Sequence, residues 1–128
     1  MTKLDFIGIT TADMGKAVEF YRLLGLEFAD GAENEVHVEV ALDGGMRLAF
    51  DTVEIARDAD PDWAAPSGSP RISLAFRCES PAEVDARYAE LVSLGHEGRH
   101  EPWDAVWGQR YATLLDPDGN GVDLYAEL

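Results

Sequence analysis

The sequence predicts an α+β fold: two βαβββ modules whose strands make a curved, cup-shaped mixed sheet, with the helices outside. Three observations carry that prediction. Two amphipathic helical segments each follow a short alternating strand. Each helix opens on a capping side chain, Asp13 or Ser80, and each carries a tyrosine eight residues later, Tyr21 or Tyr88. Short strand patterns punctuated by turn residues follow both helices. One unit therefore occurs twice, and 128 residues suit a single domain built from two halves.

The elements follow in order. Residues 4–10, LDFIGIT, alternate, placing Leu4, Phe6 and Gly8 on one face and Ile7 and Ile9 on the other. A helix follows in residues 12–25. Asp13 caps it because a carboxylate accepts from the orphan N–H groups of a first turn. Ala17, Val18, Tyr21 and Leu24 form its apolar stripe, and Gly25 suits a left-handed C-terminal cap. Strands are expected at 26–29, 35–42 and 46–52, with Asp43-Gly44-Gly45 as a hairpin turn. This is module one, residues 1–52. Residues 53–69 are polar and rich in breakers, and are expected to be a linker. Module two, residues 70–128, opens with a strand at 71–78. Its helix has Ser80 as cap, Pro81 in the first helical position and Glu83 completing a capping box, and ends at Gly95. Strands are expected at 96–100, 106–114 and 121–126.

Composition narrows the function. Hydrophobic residues make up 46%, enough for a packed core. The net charge of −15 opposes nucleic acid and anionic membranes, which call for basic patches. It is compatible with a neutral or cationic ligand. No apolar run reaches the roughly 18 residues of a membrane span. The first residues lack the pattern of a signal peptide, and Cys78 has no second cysteine to pair with, so a cytoplasmic protein is expected. Cys78 ends an apolar strand and reads as a structural thiol.

Asp116-Pro117-Asp118-Gly119-Asn120 reads as a turn in which Pro presets φ and Gly and Asn accept positive φ. Together with VEFYRLLGL (18–26) and WGQRYATLLDPDGNGVDLYA (107–126), it resembles the vicinal oxygen chelate superfamily. That group contains glyoxalase I, extradiol dioxygenases, fosfomycin-resistance enzymes and bleomycin-resistance proteins. The resemblance spans the whole chain. It implies a ligand cavity within the curved sheet and, in metal-dependent members, four ligands that are usually two His and two Glu. Carried over by position, those ligands fall on Phe6, Ala49 (with Asp51 on its face), Ser73 and Asp123. A phenyl ring cannot ligate, and Ser is a poor ligand for zinc, nickel or iron. The resemblance therefore implies no metal and no cofactor here. The segment from Trp107 to Tyr111 resembles the metal-free bleomycin-resistance branch, whose dimers sequester a cationic, partly planar drug in acidic, aromatic pockets.

Other candidates come from the residues themselves. In EVHVEV, alternation puts His37 beside Glu39, as an acid/base pair or a ligand contact. Trp63, Trp103 and Trp107 lie outside the core pattern and, with Phe6 and Tyr111, suit an aromatic wall for a flat ligand. His96 and His100 lie near a turn and read as surface residues.

Three readings follow. The first is a metal-free binding protein that sequesters an aromatic or cationic antibiotic or natural product. Its ligand-binding residues are Phe6, His37, Glu39, Asp51, Trp63, Ser73, Trp103, Trp107, Tyr111 and Asp123. The second is a lyase, isomerase or dioxygenase-like enzyme using a degenerate metal site or metal-free acid/base groups. The third is a small structural or regulatory dimer. A homodimer is expected under the first two readings, because exposed strand edges need covering.

Overall fold

A computed structural model describes residues 1–128. The chain is mixed α+β, as the repeat predicts, with two mixed sheets and three α-helices. It divides into two compact units, residues 1–67 and 68–128.

In the first unit, β1 (Phe6–Thr11) leads into α1 (Met14–Leu23). Asp13 caps α1 by accepting from the Lys16 N–H at 3.1 Å, and Gly25 takes a φ of 92° just past the end. β2 (His37–Ala41) and β3 (Arg47–Thr52) follow. The sheet order is β1-β3-β2, with β1 parallel and β2 antiparallel to β3. Alternation sorts its two faces. Ile9, Val38, Val40, Leu48 and Phe50 are buried, as are Ala17, Val18, Phe20 and Tyr21 of α1. Tyr21 meets Phe50 at 5.2 Å between ring centroids, and Phe28 meets it at 5.5 Å.

Two expectations fail in this unit. The strand expected at 26–29 does not form, so the first unit has two strands after its helix rather than three. That stretch is tied to the end of α1 instead: the Leu26 N–H donates to the Tyr21 carbonyl, and the Ala29 carbonyl accepts from Arg22. Residues 53–59, expected as linker, form α2 (Val53–Ala59). Glu54 in its first turn and Arg57 in its last complement the helix dipole, and the breakers of this region, Pro61, Pro66 and Gly68, all lie beyond residue 60.

The second unit keeps the full pattern: β4 (Ser73–Arg77), α3 (Pro81–Ser93), β5 (Glu97–Ala105), β6 (Gln109–Leu115) and β7 (Gly121–Glu127). Its order is β4-β7-β6-β5, with β4 parallel to β7 and the other pairs antiparallel. Ser80 Oγ accepts from the Glu83 N–H at 3.2 Å, with Pro81 in the first turn. Val84 and Leu91 of α3 are fully buried, as are Ala112, Leu114, Val122 and Leu124 on one face of the sheet. Edge strand β5 runs past its expected end at 100 to Ala105, with register shifts around His100 and Pro102 among its residues. Cys78, just past β4, is 6% exposed, and burial pushes its thiol up from the ordinary value.

The turn at 116–120 works differently from its expectation. Gly119 alone takes positive φ, at 84°; Asn120 does not. Asn120 acts through its donors. The Asp116 carboxylate accepts from the Asp118 N–H at 2.9 Å, the Asn120 N–H at 2.9 Å and the Asn120 side-chain amide at 2.8 Å. No helix is long and apolar enough to cross a membrane.

Candidate functional site

The face of β1-β3-β2 that is turned away from Phe50 carries a charged lattice. Register puts Phe6, Arg47 and Ala41 in one row, Gly8, Ala49 and Glu39 in the next, and Thr10, Asp51 and His37 in the third. His37 Nδ1 lies 2.5 Å from Asp51 and Nε2 lies 2.8 Å from Glu39. Arg47 donates to Glu39 at 2.6 Å and also to Asp5, and its guanidinium lies over the Phe6 ring at 5.2 Å. Asp5, Arg47, Glu39, His37 and Asp51 thus alternate in sign along one chain of contacts. The His37 side chain is 46% exposed, so solvent reaches the ring between its two carboxylates.

Glu39 and then Asp51 raise the His37 pKa above its ordinary 6.5 by holding the imidazolium. His37 and then Arg47 hold Glu39 below its ordinary value. The sign follows from the raised folded value. The stability this contact supplies is fully present below the unfolded pKa and is lost as pH rises through the folded pKa. A His37 proton NMR titration is expected to show a midpoint above 6.5 that moves back toward it in the Glu39→Gln, Asp51→Asn variant. A wild-type midpoint at or below 6.5 would show that the carboxylates do not hold the ring in solution.

The second unit gathers aromatic side chains. Trp103 on β5 pairs across from Tyr111 on β6, which pairs across from Tyr125 on β7. Trp107 lies in the β5–β6 turn, where Gly108 takes a φ of 92°. Trp103, Trp107 and Tyr111 have ring centroids 5.3–5.9 Å apart, and His100 lies 3.9 Å from Trp103. The Tyr111 hydroxyl donates to Asp123 at 2.6 Å. Burial first, and Asp123 second, push the Tyr111 pKa up to about 12, so the phenol stays protonated and keeps the carboxylate oriented.

The four positions that correspond to family metal ligands fall on equivalent strands of the two units. Within the first unit Gly8 pairs with Ala49, and within the second Ala75 pairs with Asp123. Phe6 and Ser73 lie two residues before Gly8 and Ala75, so Phe6 and Ala49 hold in one unit the places that Ser73 and Asp123 hold in the other. Phe6 and Ala49 have no donor atom. Asp123 already accepts from Tyr111, and Asp51 grips His37. Glu39 and Asp51 engage different ring nitrogens of His37, so the three do not converge, and no group of three or more His, Cys, Asp or Glu is arranged to hold an ion. This donor set does not fit a site of two His and two Glu.

The family model of the Glyoxalase/Bleomycin resistance protein/Dioxygenase superfamily matches residues 3–124. The chain belongs to that superfamily. No curated protein matches the sequence. Among solved structures, a superfamily enzyme from Burkholderia phytofirmans is 18% identical with a TM-score of 0.82, over 99% of this chain and 100% of that one. A superfamily member from Nocardioides is 24% identical with a TM-score of 0.74, over 100% of this chain and 85% of that one. A lactoylglutathione lyase from Agrobacterium tumefaciens is 21% identical with a TM-score of 0.67, over 98% and 94%. These likenesses fix the superfamily fold.

The ten expected site residues fall into groups. His37, Glu39 and Asp51 are in direct contact, and Phe6 joins them through Arg47. Trp103, Trp107, Tyr111 and Asp123 form the second group. Trp63 belongs to the first unit, where the Arg57 guanidinium lies 5.9 Å from its ring. Ser73 stands against β7: a Cβ on Gly121 would lie 2.3 Å from its hydroxyl, so only glycine lets the strands approach there. His100 is exposed, as expected, and packs on Trp103, whereas His96, also expected at the surface, is half-buried. Arg47, Asp5 and Tyr125 were not anticipated. Alternation in RLAFDT gives the face of Arg47, whereas its partner Asp5 lies 42 residues away.

Proposed function

We propose that this chain is a small-molecule binding protein that takes an aromatic or cationic organic ligand without a metal. The observation that carries the reading is the Trp103–Trp107–Tyr111 cluster with Asp123 hydrogen-bonded at its side. Such a surface gives apolar contact area and one oriented negative charge. The donor set at the four family ligand positions supports the metal-free part. An antibiotic or natural product of the bleomycin kind has the required chemistry. We also propose a cytoplasmic homodimer: each sheet has two edge strands, β1 and β2 in one and β4 and β5 in the other, and the lone cysteine fits a reducing compartment. Sedimentation as a monomer at micromolar concentration would overturn the dimer.

Tryptophan fluorescence tests the binding reading. Titration with bleomycin and with the flat cation proflavine is expected to saturate; a linear response with both up to millimolar concentration would overturn it. The metal-free part has its own test. Chelator-stripped protein is expected to melt at one temperature with or without Mn²⁺, Ni²⁺, Zn²⁺, Fe²⁺ and Mg²⁺. A specific metal at 100 times its Kd would add about 2.7 kcal/mol, worth several degrees, and would restore the metalloenzyme reading.

A second reading rests on His37. An exposed imidazole between two carboxylates is equipped to move a proton, so a metal-free enzyme of this fold is the alternative. Turnover abolished in His37→Gln would favour it over simple binding.

A further inference from the structure

Three exposed or half-buried aromatic residues of the first unit already have a cation. Arg22 lies over Phe28 at 5.8 Å, Arg47 over Phe6 at 5.2 Å and Arg57 over Trp63 at 5.9 Å. The triad of the second unit has none from the protein. His100 borders it, with Nδ1 2.6 Å from the Glu101 carbonyl, and on the same sheet face Arg77 of β4 pairs with Tyr125, one strand beyond Tyr111. Arg110 lies next to Tyr111 in sequence but is turned to the other face, bound to Asp85 of α3 and to Asp104. The acids, in contrast, stay on the triad's side. Asp123 is bound to the Tyr111 hydroxyl, and Glu127 is linked to the Trp107 indole through Gln109. This is an aromatic surface bordered by the acids Asp123 and Glu127 and by one guanidinium, Arg77, with no guanidinium over its own three rings.

Ring orientation says what kind of cation suits it. The planes of Trp103 and Trp107 stand at 87°, those of Trp103 and Tyr111 at 72°, and those of Trp107 and Tyr111 at 81°. No two rings are parallel, so a flat molecule stacks on one of them at a time. A tetrahedral onium group has no preferred plane. Its positive charge is spread over methyl groups that point in several directions, and each is attracted to whichever π face it meets. It also carries no N–H, so it needs no hydrogen-bond acceptor, and the Tyr111 hydroxyl has committed one Asp123 oxygen already. We infer that Trp103, Trp107 and Tyr111, with Asp123 as counter-charge, form a site for the quaternary ammonium head of a small molecule. This rests on the proposed binding function and names the chemical class of its ligand.

The test uses the full chain and three probes of matched size. Choline carries the trimethylammonium group, 3,3-dimethyl-1-butanol is its neutral isostere, and ethanolamine carries a primary ammonium. Choline is expected to bind about tenfold or more tightly than the neutral isostere, as a desolvated cation–π contact implies. Ethanolamine, more strongly hydrated, is expected to bind more weakly than choline. Trp107 is 57% exposed, so Trp107→Leu is expected to keep the melting temperature while weakening choline about tenfold. Asp123→Asn is expected to weaken choline and leave dimethylbutanol unchanged. Choline binding no tighter than its isostere would overturn the onium site. If proflavine binds where choline does not, the onium site falls and the binding function stands. If neither binds, both fall.

Discussion

Phe50→Ala is expected to lower the stability of the chain by about 3–5 kcal/mol, the usual cost of deleting a buried phenyl ring. Phe50 is fully buried in the central strand of its sheet, with Tyr21 of α1 on one contact and Phe28 on another. Its removal strips both rings of a partner and leaves a void between helix and sheet. Against a total of about 5–15 kcal/mol for a domain, that is a large fraction. Urea unfolding followed by circular dichroism measures it. Phe28→Ala is the control: Phe28 is half-buried on an irregular segment and is expected to cost less. Equal losses would mean that 26–29 is as deeply integrated as β3.

Asp116→Ala is expected to cost roughly 2–4 kcal/mol, because it removes three hydrogen bonds to a buried carboxylate at once. Asp116 is 4% exposed, so the freed N–H groups of Asp118 and Asn120 do not regain water fully. Asp116→Asn keeps one oxygen as acceptor and is expected to lose less. Hydrogen exchange locates the effect: the Asp118 and Asn120 amides are expected to exchange much faster in Asp116→Ala than in wild type. Unchanged exchange there would show that backbone pairing between β6 and β7 alone holds the turn.

The sequence was most legible where local chemistry decides. The caps at Asp13 and Ser80, the stop at Gly25 and the alternation of β1, β2 and β3 are each written within a few residues, and each formed. Residues 26–29 failed because a strand needs a neighbour. The Leu26 N–H and the Ala29 carbonyl found partners on α1 first. Residues 53–59 failed because the breakers beyond residue 60 coloured the whole stretch. Asn120 has the right residue type for positive φ, yet Asp116 offered its donors a better use.

The candidate site shows the same division. Spacing alone put His37 and Glu39 on one face; adding Asp51 required the β2–β3 register, and Arg47 required a contact reaching back to Asp5. Tyr111 and Asp123 were both named, while the hydrogen bond between them depends on the pairing of β6 with β7. The tryptophans looked alike in sequence. Only the fold shows that Trp63 meets the Arg57 guanidinium while Trp103 and Trp107 meet each other.

Cys78 has a practical consequence. The thiolate is the reactive form, and a thiol that is 6% exposed with a raised pKa supplies little of it. The native chain should therefore be almost silent toward maleimides at neutral pH. A cysteine introduced on the exposed β5–β6 turn, at Val106, would be the one position to take up a dye. Ligand arrival beside Trp107 becomes visible by site-directed labelling without first engineering away the natural cysteine.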